Sequence, residues 1–450
     1  MKDDNFLKEN NARHMWHPMG HPGKLQKDVP VIITGADGCH ITDIDGHRAI
    51  DAVGGLWNVN LGYSCEPVKS AIAAQLDTLP YYSAFAGTSN DAAIELSWEL
   101  RNWFAVEGMG RAFFTSGGSD SIETALRLAR QYHKIKGEPG RTKFLSLKKG
   151  YHGTHFGGAS VNGNNRFRTS YEPLLTGCHH LPAPYPYRDP HGITDPAALA
   201  QHILETAEDE IAFQGAGTIA AFIMEPILGA GGVHVPHESL MPGMREICSK
   251  HGILMIADEV ITGFGRSGHW SGSRHWGVAP DMMCTAKAIT NGYFPFGAAM
   301  ISEPVAEVFE RSGAEGFVGH GYTYSGHPVG AAAALACLAE TRRLDVATNA
   351  AARGTQLFEG FKALQESHEV IGDVRGGHGL MTAIELVSDR AAKIAVAPDV
   401  GLKVQALTYE HGVMIRASGA NLIISPPLVL SEAEADEIIG AIDAALSGLN

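Results

Sequence analysis

Short apolar segments alternate with segments of helical periodicity through the middle of the 450-residue chain. Strands that alternate with helices are typical of a mostly parallel sheet covered by helices. The runs predicted to form this sheet are residues 111–115, 143–147, 219–224, 253–257 and 282–285. Because ligands bind such sheets at the carboxyl ends of the strands, the residues that follow these runs are the first candidates for a functional site.

A long amphipathic segment follows the first of these runs. In residues 119–137 (SDSIETALRLARQYHKIKG) the apolar positions recur at helical spacing directly after a glycine pair, which predicts a helix that starts at a glycine turn. Beyond about Gly330 the sequence becomes Ala-rich and helical, and it then predicts strands around Met381 and Ile423 and an amphipathic helix from Ser431. This change of pattern indicates a separate, smaller domain.

Composition and charge narrow the functional classes. The chain carries 49 acidic and 35 basic residues, a formal charge of −14, and it lacks the Lys/Arg run that phosphate-backbone binding requires, which argues against nucleic acid. No apolar stretch is long enough to span a membrane, and the polar start MKDDNFLKENN lacks the apolar core of a signal peptide. We therefore expect no membrane association and a cytoplasmic location.

Cysteine and histidine spacing gives no indication of a metal site. The six cysteines have no CxxC spacing, so they predict reduced thiols, without a zinc site or a disulfide framework. His14, His17 and His21 have a spacing that could suit a metal, but two prolines interrupt this segment and no carboxylate lies within it. We predict no bound metal.

Two predicted strands end in residues with reactive side chains. In GILMIADEVITGFGRSG a strand leads to Asp258, and in PDMMCTAKAITNGYFPFG the next strand leads to Lys287. Taken singly, Asp258 could cap the following segment and Lys287 could be a solvated charge. An acid and an amine at neighbouring strand ends are what a pyridoxal-phosphate (PLP) site requires, because the amine forms a Schiff base and the acid keeps the pyridine nitrogen protonated.

Three further segments fit such a site. In FFTSGGSDS, Gly117, Gly118 and Ser119 lie between a strand and a helix, where backbone N–H groups attract phosphate; this turn is neither GxGxxG nor a P-loop. In KKGYHGTHFGG a strand is expected to end at Tyr151, whose ring could stack on a planar cofactor or lie in the core. In GHGYTYSGHPVG the Thr323 hydroxyl could reach a phosphate.

The chain resembles a class III (ω-type) aminotransferase of the fold-type I PLP family, most closely the ω-amine and β-alanine:pyruvate transaminases. The similarity covers nearly all of the sequence, and the motifs FFTSGGSDS, YHG, MEP, ADEVITGFGRSG, AKAITNGYFPFGA and HGYTYSGHPVG occur in the family's order. This implies an α/β fold with a large domain around a mostly parallel sheet and a smaller α/β domain. The expected division is an N-terminal arm and part of the small domain in 1–60, the large PLP-binding domain in 61–329, and the small domain in 330–450.

The resemblance also implies roles for individual residues. Lys287 is the expected Schiff-base lysine and Asp258 the pyridinium partner, and these two are the predicted catalytic residues. Val260 and Tyr151 would cover the two ring faces, and Thr323 would reach the phosphate in the other subunit of a homodimer. The full set expected to bind the cofactor is Gly117, Gly118, Ser119, Tyr151, His152, Glu225, Asp258, Val260, Lys287 and Thr323.

Substrate binding is expected to involve one arginine and several aromatic residues. Arg416 stands where amine:pyruvate members of the family carry a mobile arginine, and its guanidinium matches a carboxylate. Trp57, Phe85 and Tyr151 resemble the family's aromatic pocket walls, with Phe85 contributed by the partner subunit. A surface position for Arg416 and core packing for Trp57 and Phe85 are the alternatives.

Residues that this chain lacks bear on the identity of the keto acid that accepts the amino group. Relatives that use glutamate resemble one another in an Arg shortly before Pro-Pro-Leu and a Glu in Gly-Glu-Gly-Gly, but this chain has Ile424 and Ser425 before Pro426 and has Ala230 in GAGG. The resemblance therefore implies a ping-pong transaminase that moves an amino group from an ω-amino acid or primary amine, and Arg416 favours pyruvate as the acceptor. The alternatives are another PLP reaction (an aminomutase or a decarboxylase), another keto-acid acceptor, and a cofactor-binding protein without turnover. A homodimer is expected, with a tetramer of paired dimers as the alternative.

Overall fold

A computed structural model describes residues 3–449. The strands in chain order are β1 (Ile33–Asp37), β2 (His40–Asp43), β3 (Arg48–Asp51), β4 (Met109–Thr115), β5 (Lys143–Leu147), β6 (Cys178–Leu181), β7 (Ile219–Met224), β8 (Leu254–Asp258), β9 (Met282–Thr285), β10 (Gly297–Ser302), β11 (Ile371–Arg375), β12 (Thr382–Asp389), β13 (Ile394–Ala395), β14 (Val413–Met414), β15 (Arg416–Ser418) and β16 (Asn421–Ile424). The helices in chain order are α1 (Asp4–Asn10), α2 (Pro22–Leu25), α3 (Gly54–Trp57), α4 (Glu66–Thr78), α5 (Asp91–Trp103), α6 (Gly118–Ile135), α7 (Phe156–Val161), α8 (Pro196–Gln214), α9 (Leu240–His251), α10 (Gly272–His275), α11 (Glu303–Arg311), α12 (Pro328–Arg343), α13 (Val346–Ser367), α14 (Pro398–Glu410) and α15 (Glu432–Ser447).

The largest sheet has seven strands in the order β4-β10-β9-β8-β7-β5-β6. Only β10 runs antiparallel to its neighbours β4 and β9; the other pairings are parallel. Every residue of β7 and β8 is buried, as expected for central strands that helices cover on both faces. This sheet therefore presents the carboxyl ends of several parallel strands at one edge.

The five predicted strands are confirmed, with the fourth shifted by one residue to Leu254–Asp258. Two strands of the same sheet were not predicted. The edge strand β6 (CHHL) is only half-buried at most of its positions, and its polar sequence lacks an apolar run. Strand β10 (GAAMIS) is rich in small residues of low strand propensity, so its position between β4 and β9 depends on tertiary packing.

Two smaller sheets are built from strands in the N-terminal and C-terminal parts of the chain. One has the order β1-β2-β3-β14, in which β14 pairs in parallel with β3, and the other has the order β11-β12-β16-β15. The predicted strands around Met381 and Ile423 correspond to β12 and β16, and the predicted terminal helix is α15, whose N-cap Ser431 forms a capping box with Glu434. Within residues 3–449, no helix combines the length and the apolar character needed to cross a membrane.

Candidate active site

Asp258 and Lys287 lie at the ends of adjacent strands. Asp258 is the last residue of β8 and pairs in register with Cys284 of β9, and Lys287 follows β9 after one intervening residue. The Lys287 backbone has a φ of 51°, which turns the chain out of the strand into a short 3₁₀ helix. The predicted juxtaposition of an acid and an amine at neighbouring strand ends is confirmed.

The Asp258 carboxylate is held by two fixed donors. His152 Nδ1–H donates to its Oδ2 at 2.8 Å, and the Val260 backbone N–H donates to its Oδ1 at 3.1 Å. His152 and Asp258 are both buried, and His152 Nε2 has no hydrogen-bond partner within the described chain. Asp258 therefore accepts a hydrogen bond from the segment that follows it, as the capping alternative expected. Its other oxygen, however, accepts a hydrogen bond from a histidine in a distant loop.

Tyr151 does not lie at a strand end, as the sequence suggested. Strand β5 ends at Leu147, and residues 151–153 form a loop that crosses the carboxyl edge of the sheet. The loop is fixed because the Tyr151 N–H donates to Glu225 Oε1 at 2.9 Å and the His152 N–H donates to Asn162 Oδ1. The prediction failed because the residues after Leu147 complete a turn before the chain reaches the site.

Glu225 follows β7 and is a second buried acid near the amine. Its Oε1 accepts from Tyr151, and its Oε2 accepts from the Gly229 N–H at 2.9 Å. Burial raises the pKa of Glu225, and the nearby charge of Asp258 raises it further, while His152 opposes the shift. The bond from the Tyr151 N–H also fixes the loop that carries Tyr151, and the bond from the Gly229 N–H holds the segment after β7.

Burial lowers the pKa of Lys287 below its ordinary value of 10.5. The charges of Asp258 and Glu225 oppose this shift, and the positive charge of Arg416 adds to it. A lower pKa increases the fraction of neutral amine at physiological pH, and the neutral amine is the nucleophilic form.

The glycine turn between β4 and α6 lies beside these residues. Gly117 is the N-cap of α6, and Gly118 is its first residue. A Cβ on Gly118 would come within 2.9 Å of Val260 Cγ1, so this close approach requires glycine. The Thr154 N–H donates to Ser119 Oγ at 3.2 Å, which ties the start of the helix to the loop after Gly153.

A cavity of about 340 Å³ joins all these elements. Its lining includes every residue predicted to bind the cofactor except Thr323. The residues that line it are Asn58, Ser116, Gly117, Gly118, Ser119, Ile122, Tyr151, His152, Gly153, Glu225, Asp258, Val260, Ile261, Ala286, Lys287, Thr290, Gly292, Phe294, Pro295 and Phe296. Its volume suits a ligand of cofactor size.

The family model of the class III aminotransferases matches residues 23–446. The chain belongs to the class III aminotransferases. The putrescine–pyruvate aminotransferase of Pseudomonas aeruginosa is 38% identical over 429 residues, which cover 95% of this chain and 92% of the relative. The diaminobutyrate–2-oxoglutarate transaminase of Halomonas elongata is 37% identical, covering 92% of this chain and 90% of the relative. The crystal structure of an amine transaminase from an uncultivated Pseudomonas species, in its PLP-bound form, has a TM-score of 0.95 and 48% identity, covering 97% of this chain and 99% of the other.

This class III aminotransferase is therefore a PLP-dependent transaminase with the fold-type I architecture, as the motifs implied. The cavity fits PLP in three respects. The first N–H groups of α6 have no acceptor within the helix and are available to a phosphate, and a Cβ on Gly117 would meet only open space. Val260 and Tyr151 line the same cavity, and Lys287 and Asp258 present the amine and the acid to it.

Four predicted residues of this class III aminotransferase do not line the cavity. Trp57 is buried in an apolar cluster with Ile261, which itself lines the cavity. Arg416 lies on β15 and is close enough to act electrostatically on both Tyr151 and Lys287. Phe85 and Thr323 lie elsewhere on the chain, so their roles, like that of Trp57 as a pocket wall, stay predictions.

Sequence reasoning missed several residues of the cavity wall. Asn58 directly follows Trp57, and Thr290, Gly292 and 294–296 belong to the segment between Lys287 and β10. This segment reads ITNGYFPFG, and its glycines, aromatic residues and proline between two apolar strands were the available signal. Asn58 offered no such signal, because it reaches the cavity wall by lying beside Gly292, which is distant along the chain: a Cβ on Gly292 would come within 2.7 Å of Asn58 Nδ2.

Proposed function

We propose that this transaminase transfers an amino group from an ω-amino acid or a primary amine to pyruvate in two half-reactions. The assignment of pyruvate as the acceptor rests on the Arg416 guanidinium. Arg416 is half-buried, and its positive charge acts to lower the pKa of both Tyr151 and Lys287. Its side chain forms no ion pair or hydrogen bond within residues 3–449. A guanidinium without a protein acid is available for the carboxylate of a keto acid.

The chain's own residues support the proposed catalytic steps. PLP supplies an electron-accepting ring that stabilises the negative charge left on the donor carbon. Lys287 Nζ would hold the cofactor, and its amine would be the group that takes up and carries the proton of the donor carbon. Asp258, oriented by His152 and the Val260 N–H, would hold the proton on the ring nitrogen. The backbone N–H groups of Gly117, Gly118 and Ser119 would bind the phosphate.

Pyruvate is favoured over 2-oxoglutarate because the expected second carboxylate site is absent. Ile424 and Ser425 are buried, and the Ser425 hydroxyl donates to the Val53 carbonyl at 2.9 Å, so neither offers a cation. The two relatives differ in acceptor by name, one using pyruvate and the other 2-oxoglutarate. The names of the relatives therefore do not decide which keto acid this chain uses, and the proposal rests on Arg416.

The proposed active unit is a homodimer. Phe85 and Thr323, both expected to serve the other subunit's site, lie close together on one surface: the Phe85 ring packs against Gly321, and the Tyr81 hydroxyl donates to the Thr323 carbonyl at 2.7 Å. Phe85 is half-exposed, and Phe317 nearby is 75% exposed. Large exposed aromatic residues on one face indicate an interaction surface.

A cytoplasmic location is part of the same proposal. All six cysteines are free, and four of them, Cys39, Cys248, Cys284 and Cys337, are buried. Buried free thiols without disulfides are typical of proteins that fold in a reducing compartment.

A screen of amine donors against pyruvate, with alanine as the measured product, tests the reaction. We expect alanine in stoichiometric yield with the carbonyl product of the donor. Carbon dioxide release or an isomerised amino acid without alanine would instead indicate a decarboxylase or an aminomutase. Turnover with 2-oxoglutarate but not with pyruvate would overturn the acceptor assignment.

Mixed dimers test whether Thr323 acts across the interface. The Lys287→Ala chain and a Thr323→Ala chain each impair both sites of their own homodimers. A mixed dimer has one site with Lys287 from one chain and Thr323 from the other, so we expect activity to be recovered on mixing. No recovery, together with confirmed exchange of subunits, would contradict the proposed contribution of Thr323 to the partner's site.

A further inference from the structure

Asp51, the last residue of β3, accepts four hydrogen bonds although it lies outside the cavity lining. Its Oδ1 accepts from the backbone N–H groups of Val53 and Gly54 at 3.0 Å each. Its Oδ2 accepts from the Gly55 N–H at 2.6 Å and from the Tyr63 hydroxyl at 2.7 Å. A buried carboxylate with this many donors is held in one orientation and in turn fixes the groups that donate to it. We refer to Asp51 and Tyr63 as the carboxylate clamp.

The residues held by the carboxylate clamp are bonded to Asn58, which lines the cofactor cavity. The Asn58 N–H donates to the Gly54 carbonyl at 2.9 Å, and the Leu56 N–H donates to Asn58 Oδ1 at 2.8 Å. On its other side Asn58 lies against Gly292, where a Cβ would come within 2.7 Å of Asn58 Nδ2. A single short turn therefore connects Asp51 to a residue of the cavity wall.

The turn has a backbone conformation that needs support. Its φ angles are 60° at Gly54, 64° at Gly55 and 66° at Trp57, and the left-handed region is strained for tryptophan. A second cavity, of about 520 Å³, lies on the far side of the turn, and Gly55, Leu56 and Asn58 line it. Packing therefore leaves the part of the turn around Leu56 and Asn58 room to move, and the hydrogen bonds limit that movement.

We propose that Asp51 is a positioning residue that limits the width of amino donors, because the carboxylate clamp holds Asn58 at the wall of the cofactor cavity. This rests on the proposed transamination and concerns how the same site selects among donors. When a bond of the clamp is lost, the turn shifts toward the second cavity, and the wall then admits wider donors. The clamp forms no hydrogen bond with Lys287 or Asp258 within residues 3–449, so the reaction of a narrow donor keeps its rate.

A second clamp of the same kind provides a matched control. Asp43, the last residue of β2, accepts from the backbone N–H groups of Asp45 and His47 at 2.9 Å each and from the Tyr409 hydroxyl at 2.8 Å. Neither Asp43 nor these three partners line the cofactor cavity. Loss of the equivalent bonds there measures the cost in stability without a change in the cavity wall.

Butylamine, benzylamine and naphthylmethylamine carry no second charge and differ in width. The donor half-reaction of the PLP-loaded enzyme is followed by the loss of its visible absorbance, without any keto acid. In Tyr63→Phe we expect kcat/KM for naphthylmethylamine relative to butylamine to rise about threefold or more, through KM. The kcat for butylamine and the initial visible absorbance should match the wild type.

Asp51→Asn should shift the same ratio further, because the amide N–H₂ then faces a backbone N–H. Tyr63→Phe keeps the three bonds from Asp51 to the backbone, so it tests the inference even if Asp51→Asn does not fold. Tyr409→Phe and Asp43→Asn are expected to lower the Tm by similar amounts and to leave the ratio unchanged.

Three results overturn the inference. Equal changes for all three donors in Tyr63→Phe would mean that the carboxylate clamp only supports the fold, and an unchanged ratio would mean that it does not set the cavity wall. The same shift in Tyr409→Phe would mean that lost stability, and not the position of Asn58, alters selection. If no amine reduces the absorbance of the wild type, the proposed transamination fails as well. Because no acceptor is present, none of these outcomes depends on pyruvate, which the alanine assay tests separately.

Discussion

The acids inside the active-site cavity and the arginine outside its lining differ in whether the chain supplies partners for their charges. At its floor, Asp258 and Glu225 are buried and each accepts two hydrogen bonds from fixed donors. Arg416 on β15, outside the residues that line the cavity, has no ion pair within the described chain, and we refer to it as the mouth. The two acids are therefore held by the chain itself, whereas Arg416 is proposed to gain its counter-charge from a ligand.

This difference separates the residues proposed to take part in the reaction from the residue proposed to select substrates. Fixed hydrogen bonds in a buried site hold an acid in one orientation for every substrate. Unpaired guanidinium groups instead interact differently with anionic, neutral and cationic groups. Changes at the floor should therefore affect all substrates alike, and changes at the mouth should affect only those that carry charge.

The largest effect is expected for Lys287→Ala at the floor. Loss of the amine would remove both the proposed attachment point of PLP and the proposed proton carrier, so turnover should fall on the order of 10⁴-fold for every donor. Steady-state assays and the visible spectrum measure it, with exposed Lys250→Ala as the control. Normal turnover in Lys287→Ala would end the proposed role of this lysine.

A smaller but still general loss is expected for Asp258→Asn. The amide cannot hold the ring nitrogen in its protonated form, so kcat should drop on the order of 10²-fold with neutral and charged donors alike. Asp77→Asn, an exposed acid near the end of α4, serves as the control. A loss confined to charged donors would contradict the division between floor and mouth.

Arg416→Gln should discriminate between substrates. Hydrogen bonds to a charged group contribute about 1.5–3 kcal/mol, so kcat/KM for pyruvate should fall about 10- to 150-fold. The half-reaction with butylamine, which has no carboxylate, should stay near the wild-type rate. If butylamine slows by the same factor, Arg416 supports the site's structure and does not recognise the carboxylate.

The smallest expected effect is a shift in the pKa of Lys287, which the charges of both Asp258 and Arg416 influence. The neutral amine reacts with PLP, so reconstitution of the apoprotein should accelerate as pH rises through this lowered pKa and level off below pH 10.5. Arg416→Gln removes a charge that lowers the pKa and should move the profile to higher pH. Asp258→Asn removes a charge that raises it and should move the profile to lower pH. Shifts in the same direction would show that these charges do not control the amine.

Much of the fold and the centre of the site could be predicted because the signals are local. A buried strand is a short apolar run, and the residue that follows it lies at the sheet edge whatever the rest of the chain does. This reasoning placed Asp258 and Lys287, and a glycine pair before a helical pattern placed Gly117 and Gly118. It failed for β10, whose small residues resemble a loop until β4 and β9 enclose them.

The sequence by itself determined which residues end the central strands, since hydrophobic periodicity and glycine placement act over a few neighbouring positions. Only the tertiary structure decided which of these residues meet and which charges stay unpaired. His152 and Asp258 are 106 positions apart, and Tyr151 and Glu225 are 74 apart. Hydrogen bonds and Coulomb interactions depend on distance in space, and packing of the whole chain brings these groups together while leaving Arg416 without an ion pair among residues 3–449.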